Sequence, residues 1–251
     1  MVDFVGAGCG AADLITVRGM RLIQNADVII YAGSLVNPEL TEFAKDSCEI
    51  CNSAHMTLDE VIEVMEKAEA AGKNTVRLHT GDPSLYGAIR EQTDRLDKLG
   101  IEYKICPGVS SFCGAAAALK AEYTLPEISQ SVIITRMAGR TPVPEKESIE
   151  SLAAHGASMV IFLSAGMTSE VSDRLQKGGY SAETPAALVY KATWEDEKVC
   201  RCTVGTLAET AESNGINKTA LIVVGDFLGE NRFLSKLYDP NFETGYRKAK
   251  K

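Results

Sequence analysis

Short apolar runs alternate with helix-patterned stretches along the whole chain. The runs VDFV (2–5), DVIIYA (27–32), TVRLH (75–79) and EYKIC (102–106) are rich in Val, Ile and Tyr and end at turn residues, which predicts strands. Between them a helix is predicted to open at Thr57, whose side chain caps while Glu60 reaches back. Val61, Val64, Met65 and Ala68 then recur at helical spacing, and Gly72 stops the helix. Strands and helices in alternation predict a parallel sheet covered on both faces. The stretch KAEYTLPEISQ (120–130) carries Pro126 and reads as a linker. Beyond it, SVIITR (131–136), SMVIFL (158–163), AALVYKA (186–192), KVCRCTV (198–204) and TALIVVGDF (219–227) supply a second set of strands. The residues Trp194 to Glu197 predict a hairpin, which makes the second sheet mixed. The expectation is an α/β protein with two α/β domains, a mostly parallel one over 1–120 and a mixed one over 121–251.

The first strand runs into FVGAGCGAADLITVRG (4–19), where Gly6, Gly8 and Ala11 satisfy the dinucleotide pattern G-x-G-x-x-A. A dinucleotide site needs its helix to start at the glycines, so that the helix N-terminus faces the pyrophosphate. Here the loop continues through AADLIT and the better helix start is Thr16. The pattern also wants an acidic residue at the end of the second strand, whereas that strand ends Tyr31, Ala32, Gly33, Ser34 and its acid, Asp27, stands at the beginning. The loop therefore reads as a tight turn at a carboxyl strand end, where open α/β sheets bind ligands, and not as a nicotinamide site.

Two more strand ends carry the same chemistry. Strand 75–79 leads into His79, Thr80, Gly81, Asp82, Pro83, Ser84, Leu85, Tyr86 and Gly87, where Gly81 permits close backbone approach and Asp82 supplies an acceptor. Strand 102–106 leads into PGVSS (107–111), whose hydroxyls and free backbone N–H groups open an alanine-rich helix over 112–121. Three such loops at carboxyl strand ends point to one ligand site.

Charge and composition narrow the ligand. The 251 residues are 45% hydrophobic and 24% charged, ordinary for a globular protein, and long enough to bury a core. A net charge of −8 argues against a nucleic-acid partner, though not against a small anion held by a few arginines. No apolar run approaches the ~20 residues a membrane span needs, and the first residues lack a secretory pattern, so a cytoplasmic protein with no membrane partner is expected. The basic tail Arg247 to Lys251 is expected to fray. The seven cysteines, at 9, 48, 51, 106, 113, 200 and 202, are odd in number and fit reduced thiols. Cys48 and Cys51 form a C-x-x-C, but Cys200 and Cys202 are too closely spaced to complete a structural zinc site, and both pairs sit in apparent strands.

At these loops the chain resembles the tetrapyrrole methyltransferases of cobalamin and sirohaem synthesis, through GAGCGAADLIT, HTGDPSLYGAI and PGVSS. The segments YAGSLVNPEL, TRMAGRTPVPE and VYKATWEDEKVCRCTV are similar to the precorrin-4 carbon-11 branch of that family, and GDPSLYGAI to its anaerobic, cobalt-containing form. Cys9 stands where the family often has proline, and Ala11 and Ala12 replace a frequent Asp-Pro. The resemblance implies S-adenosylmethionine as methyl donor in a cleft between the domains, a tetrapyrrole substrate and a homodimer, and the cysteine spacings give no reason to expect a protein-bound metal. Residue by residue it implies cofactor positions at Cys9, Gly81, Asp82, Leu85, Ser110, Ser111, Ser164, Ala192, Thr219 and Ala220.

A tetrapyrrole bearing many acetates and propionates calls for cations, and Arg136, Arg140 and Lys191 are the candidates, with His79 and Tyr86 beside them. The methyl donor is a strong electrophile and the acceptor an electron-rich carbon, so no serine or cysteine nucleophile is needed and no catalytic base is assigned. Another precorrin or uroporphyrinogen methyltransferase, a non-catalytic tetrapyrrole carrier and a nicotinamide oxidoreductase stay open, the last disfavoured by the reading of the glycine loop. Binding of S-adenosylhomocysteine would separate the methyltransferases from the last two.

Overall fold

The computed structural model describes residues 1–230 and 235–249. It divides into two compact units, Met1–Ala115 with Lys191–Glu197, and Ala116–Tyr190 with Lys198–Lys251.

The first unit holds β1 (Val2–Gly6), α1 (Val17–Asn25), β2 (Val28–Tyr31), β3 (Glu49–Asn52), α2 (Leu58–Ala70), β4 (Thr75–His79), α3 (Arg90–Leu99) and β5 (Tyr103–Cys106); α4 (Ser111–Leu119) begins in it. The five strands are all parallel in the order β3-β2-β4-β1-β5. Every residue of β1 and β4 is buried, as a strand covered on both faces must be. Alternation divides the core. Phe4 and Ile30 join Val61, Ile62, Met65 and Leu96 on one face, whereas Val5, Ile29, Val76 and Leu78 join Ile23 and Leu40 on the other. The capping box forms as its spacing demands: Glu60 N–H donates to Thr57 Oγ1 at 3.3 Å, and Thr57 N–H to Glu60 Oε2 at 2.7 Å. Gly72, at φ +65°, turns the chain out of α2.

The second unit holds β6 (Val132–Arg136), α5 (Ile149–Ala153), β7 (Ser158–Phe162), α6 (Thr168–Lys177), β8 (Pro185–Tyr190), β9 (Lys198–Thr203), α7 (Leu207–Ser213) and β10 (Ala220–Val224). Its sheet is mixed, in the order β6-β7-β10-β8-β9. β6 and β7 are parallel, and β10 runs antiparallel to β7 and β8. The hairpin read around Trp194 is β8–β9, in register from Pro185 opposite Thr203 to Tyr190 opposite Lys198.

Among the described residues no helix is long and apolar enough to cross a membrane. Of the basic tail, Arg247 and Lys248 are exposed, and Arg247 is tied to the preceding segment. The Arg247 Nη2 lies 2.9, 2.7 and 3.3 Å from the carbonyl oxygens of Leu237, Asp239 and Phe242 and donates among them. Lys250 and Lys251 lie outside the described residues.

Candidate functional site

The parallel order of the first sheet brings the ends of β1, β4 and β5 to one edge, and the loops after β1 and β4 are bound backbone to backbone. Ala7 N–H donates to His79 O at 2.7 Å, Gly81 N–H to Gly8 O at 2.9 Å and Gly8 N–H to Gly81 O at 3.3 Å. Close approach explains the glycines. A Cβ on Gly108 would stand 2.2 Å from Gly81 O and 2.7 Å from Gly6 Cα, and one on Gly6 would stand 2.5 Å from Gly108 Cα. Gly81 has φ +62°, open to glycine without strain. The dinucleotide reading fails on geometry as well. A 3-10 turn over Ala12–Leu14 follows the glycines, and α1 opens only at Val17 with Thr16 Oγ1 accepting from Gly19 N at 3.0 Å.

Asp82 staples these loops. One carboxylate oxygen accepts from Ser84 N–H at 2.9 Å and from the Ser84 hydroxyl, and the other accepts from Gly108 N–H at 2.8 Å. Partial burial acts to raise its pKa, and the bonds from Ser84 and Gly108 outweigh this and hold the carboxyl below its usual range. A carboxylate has about four lone-pair sites, so little of Asp82 is left for a ligand. Leu85 closes the turn with its N–H on Asp82 O at 3.2 Å. Ser110 is buried just before α4, and Ser111 is the first residue of that helix.

The segment Lys191–Glu197 completes the first unit around Cys9. Thr193 Oγ1 accepts from Ala11 N–H at 3.0 Å and lies 3.7 Å from Cys9 Sγ, and a Cβ on Gly10 would stand 2.5 Å from Ala192 O. The Cys9 thiol is buried here and lies against Gly114, where an added Cβ would come within 3.1 Å of the sulfur. Lys191 Nζ is paired with Asp196 Oδ2 at 2.6 Å and lies 5.4 Å from the Trp194 ring centre, so its charge is already engaged.

In the second unit, register places Arg136, Ser164, Thr219 and Ala220 at one end of the sheet. Arg136 ends β6 opposite Phe162 at the end of β7, and Ala220 begins the antiparallel β10 opposite Tyr190 at the end of β8. Ser164 is fully buried; its hydroxyl donates to Phe162 O at 2.7 Å and accepts from Met137 N–H at 2.9 Å. The Arg136 guanidinium donates to the carbonyls of Met137, Thr141 and Pro142, at 3.3, 3.2 and 2.7 Å, and so shapes its own loop. Arg140, on that loop, is exposed.

Backbone strain marks the same places. Among the described residues eight non-glycine residues have positive φ, and six of them are Tyr86, Ala88, Leu163, Lys191, Thr193 and Thr219. Each is one of the candidates or stands within three residues of one. Such conformations persist where the surroundings over-determine them, and they cluster at ligand sites. Leu163 is also 63% exposed, an apolar side chain held out at a sheet end.

His79 stands apart from the other candidates. It is 5% exposed at the end of β4 and stacks on Phe4 at 5.9 Å. Burial, with the Arg77 charge beside it, pushes its pKa down to about 3, so the ring is neutral. Together with Tyr86, which is 44% exposed, it lines a cavity of about 280 Å³.

The cysteines remain free thiols, and burial pushes the pKa up at Cys48, Cys51, Cys113 and Cys202, the last to about 11. Among the described residues no three or more His, Cys, Asp or Glu side chains are grouped to hold a metal ion.

Residues 1–208 match the family model of the tetrapyrrole (corrin/porphyrin) methylases. The chain belongs to this family. A cobalt-precorrin-4 C(11)-methyltransferase of Methanocaldococcus jannaschii is 56% identical over 251 residues, covering 100% of this chain and 97% of that one. A precorrin-4 C(11)-methyltransferase of a Sinorhizobium species is 44% identical, covering 98% of each. A solved cobalt precorrin-4 methyltransferase superposes with a TM-score of 0.89 at 46% identity, over 90% of this chain and 95% of that chain. This tetrapyrrole methylase therefore has the two-sheet α/β fold of that structure.

Sequence reading passed over several residues that build the site. Thr193 and Asn37 hold the glycine loop, Asn37 through its Nδ2 on Gly10 O at 3.2 Å. Nothing in their local sequence signals a partner so far along the chain. Arg77 did leave a signal: a charge in the middle of TVRLH, a run predicted to be buried on both faces, needs an explanation.

Proposed function

We propose that this chain is an S-adenosylmethionine-dependent methyltransferase that methylates carbon 11 of cobalt-precorrin-4. The observation that carries this is 56% identity across the whole chain to the Methanocaldococcus jannaschii relative of that name. The relatives named for the cobalt-free substrate, among them the Sinorhizobium protein at 44%, support precorrin-4 as the second reading.

The residues present fit the methyl donor. Loops 6–11 and 81–88 are joined by backbone hydrogen bonds, loop 107–111 packs on them through Gly108 and its N–H on Asp82, and Tyr86 and Ala88 hold strained φ, which gives a cradle with main-chain donors and acceptors. When bound, the donor supplies an electrophilic methyl group. The chain's own part is alignment and exclusion of water: fixing donor and acceptor in line can supply roughly 7–11 kcal/mol. In this reading Asp82 orients the cradle, Gly81, Leu85, Ser110 and Ser111 offer main-chain contacts, and Cys9 and Ala192 give small packing surfaces. Ser164, Thr219 and Ala220, at one end of the second sheet, are the cofactor positions that the resemblance gives in that unit, and Arg140, exposed on its loop, is a candidate for a substrate carboxylate. A cytoplasmic homodimer accompanies this reading, the homodimer on the strength of the family resemblance alone.

The test is calorimetric titration with S-adenosylhomocysteine, expected to give one site per chain, followed by transfer of labelled methyl to cobalt-precorrin-4 and to precorrin-4. No binding at millimolar ligand would overturn the reading. Faster turnover of the cobalt-free substrate would replace it with the second.

A further inference from the structure

Arg77 and His79 share a face of β4, because Val76 and Leu78 fill the core on the opposite side. On that face both are buried, at 7% and 5% exposure. The Arg77 guanidinium donates to two neutral groups, Gln92 Oε1 at 3.1 Å and Ile30 O at 3.2 Å. Burial without a countercharge pushes even its pKa down, to about 10. Beside it, His79 Nε2 and Thr80 Oγ1 are both buried and have no hydrogen-bond partner. Buried polar groups in native proteins are nearly always satisfied, and a buried cation is nearly always paired. Three exceptions at one place ask for a common partner.

All three groups line the same cavity. Its volume of about 280 Å³ has room for a short acid side chain. Its other lining side chains are mostly apolar or neutral, among them Met56, Val61 and Tyr86; the carboxylate among them, Glu91, is exposed. A cation would be repelled by Arg77, and a neutral ligand would leave its charge uncompensated. A carboxylate answers each requirement. It brings the missing negative charge, and its oxygens can accept from the guanidinium, from the Thr80 hydroxyl and from the Nε2–H tautomer of the neutral imidazole.

We infer that this cavity over β4 seats a carboxylate group, held by Arg77, His79 and Thr80. That the carboxylate belongs to a side chain of the tetrapyrrole rests on the function proposed above; a free small carboxylate is the other source with the same chemistry. His79 and Thr80 are then binding residues on a substrate side chain, apart from the cradle that takes the methyl donor.

The chain has three histidines, so ¹⁵N-histidine labelling of the whole protein gives a readable spectrum, with His79 assigned by its loss in His79→Asn. The probes are propionate and uroporphyrin, a stable tetrapyrrole octa-acid. Uroporphyrin at micromolar concentration is expected to move the His79 signals and leave His55 and His155 in place, with propionate doing so only at tens of millimolar. Thr80→Val, which keeps the shape and removes the hydroxyl, should weaken both responses at least about fivefold while affinity for S-adenosylhomocysteine stays within about twofold. A response to propionate alone upholds the carboxylate seat and overturns its assignment to the macrocycle. A silent His79 with both probes, in protein that binds S-adenosylhomocysteine and transfers methyl, overturns the inference and leaves the proposed function standing. A responsive His79 in protein that does neither upholds the seat and fells the function.

Discussion

Asp82 is the residue at which the loop geometry can be tested most sharply. Replacing it by alanine removes the acceptor of three hydrogen bonds: from Ser84 N–H, the Ser84 hydroxyl and Gly108 N–H. A hydrogen bond to a charged group contributes about 1.5–3 kcal/mol. Asp82 is only partly buried, so water replaces some of what is lost, and the set together is worth about 2–4 kcal/mol. Asp82→Asn keeps one acceptor oxygen and should lose about half of that. Urea unfolding at pH 7, read by circular dichroism, checks both values, and calorimetry with S-adenosylhomocysteine follows the site. The pH dependence has a definite sign. The folded pKa is lowered, so this stability is present above the unfolded value of about 3.9 and is lost as pH falls through the folded one. The gap between wild type and Asp82→Ala should therefore be full at pH 6–7 and shrink below about pH 4. A variant of unchanged stability that has lost its ligand would refute the staple and make Asp82 a direct contact. A gap that widens on acidification would refute the electrostatic argument.

Two further outcomes follow from the second unit. Ser164→Ala leaves Met137 N–H buried without its acceptor, and should cost about 1–3 kcal/mol of stability in urea while S-adenosylhomocysteine affinity moves less than about threefold; a larger affinity change would make the hydroxyl a ligand contact. Arg140→Ala removes an exposed cation, so stability should stay within about 0.5 kcal/mol, whereas turnover of the tetrapyrrole should fall at least about tenfold, roughly 1.4 kcal/mol; normal turnover would return the loop to plain surface.

Local rules were enough for much of this protein. The capping box at Thr57, the stop at Gly72, the N-cap at Thr16 and the β8–β9 hairpin each depend on residues a few positions apart, and the polar–apolar rhythm announced one parallel and one mixed sheet. The positions of the ligand-friendly loops were legible for the same reason: Gly, Pro, Asp and Ser clusters follow strand ends in the sequence itself. What those side chains do there was not legible, because it depends on partners far along the chain. Asp82 and Arg136 looked free to grip ligands and are committed to the protein's own backbone, and the Lys191 charge is taken by Asp196. The reverse holds at Arg77 and His79. Sequence places them in a central strand, but only the packing of β2, α3 and the 80–88 loop around that strand leaves one cation and two polar atoms buried without a countercharge or a partner. Secondary structure answers to neighbours within a few residues, whereas the availability of a charge or a lone pair is decided by whatever the fold brings within 3–4 Å of it.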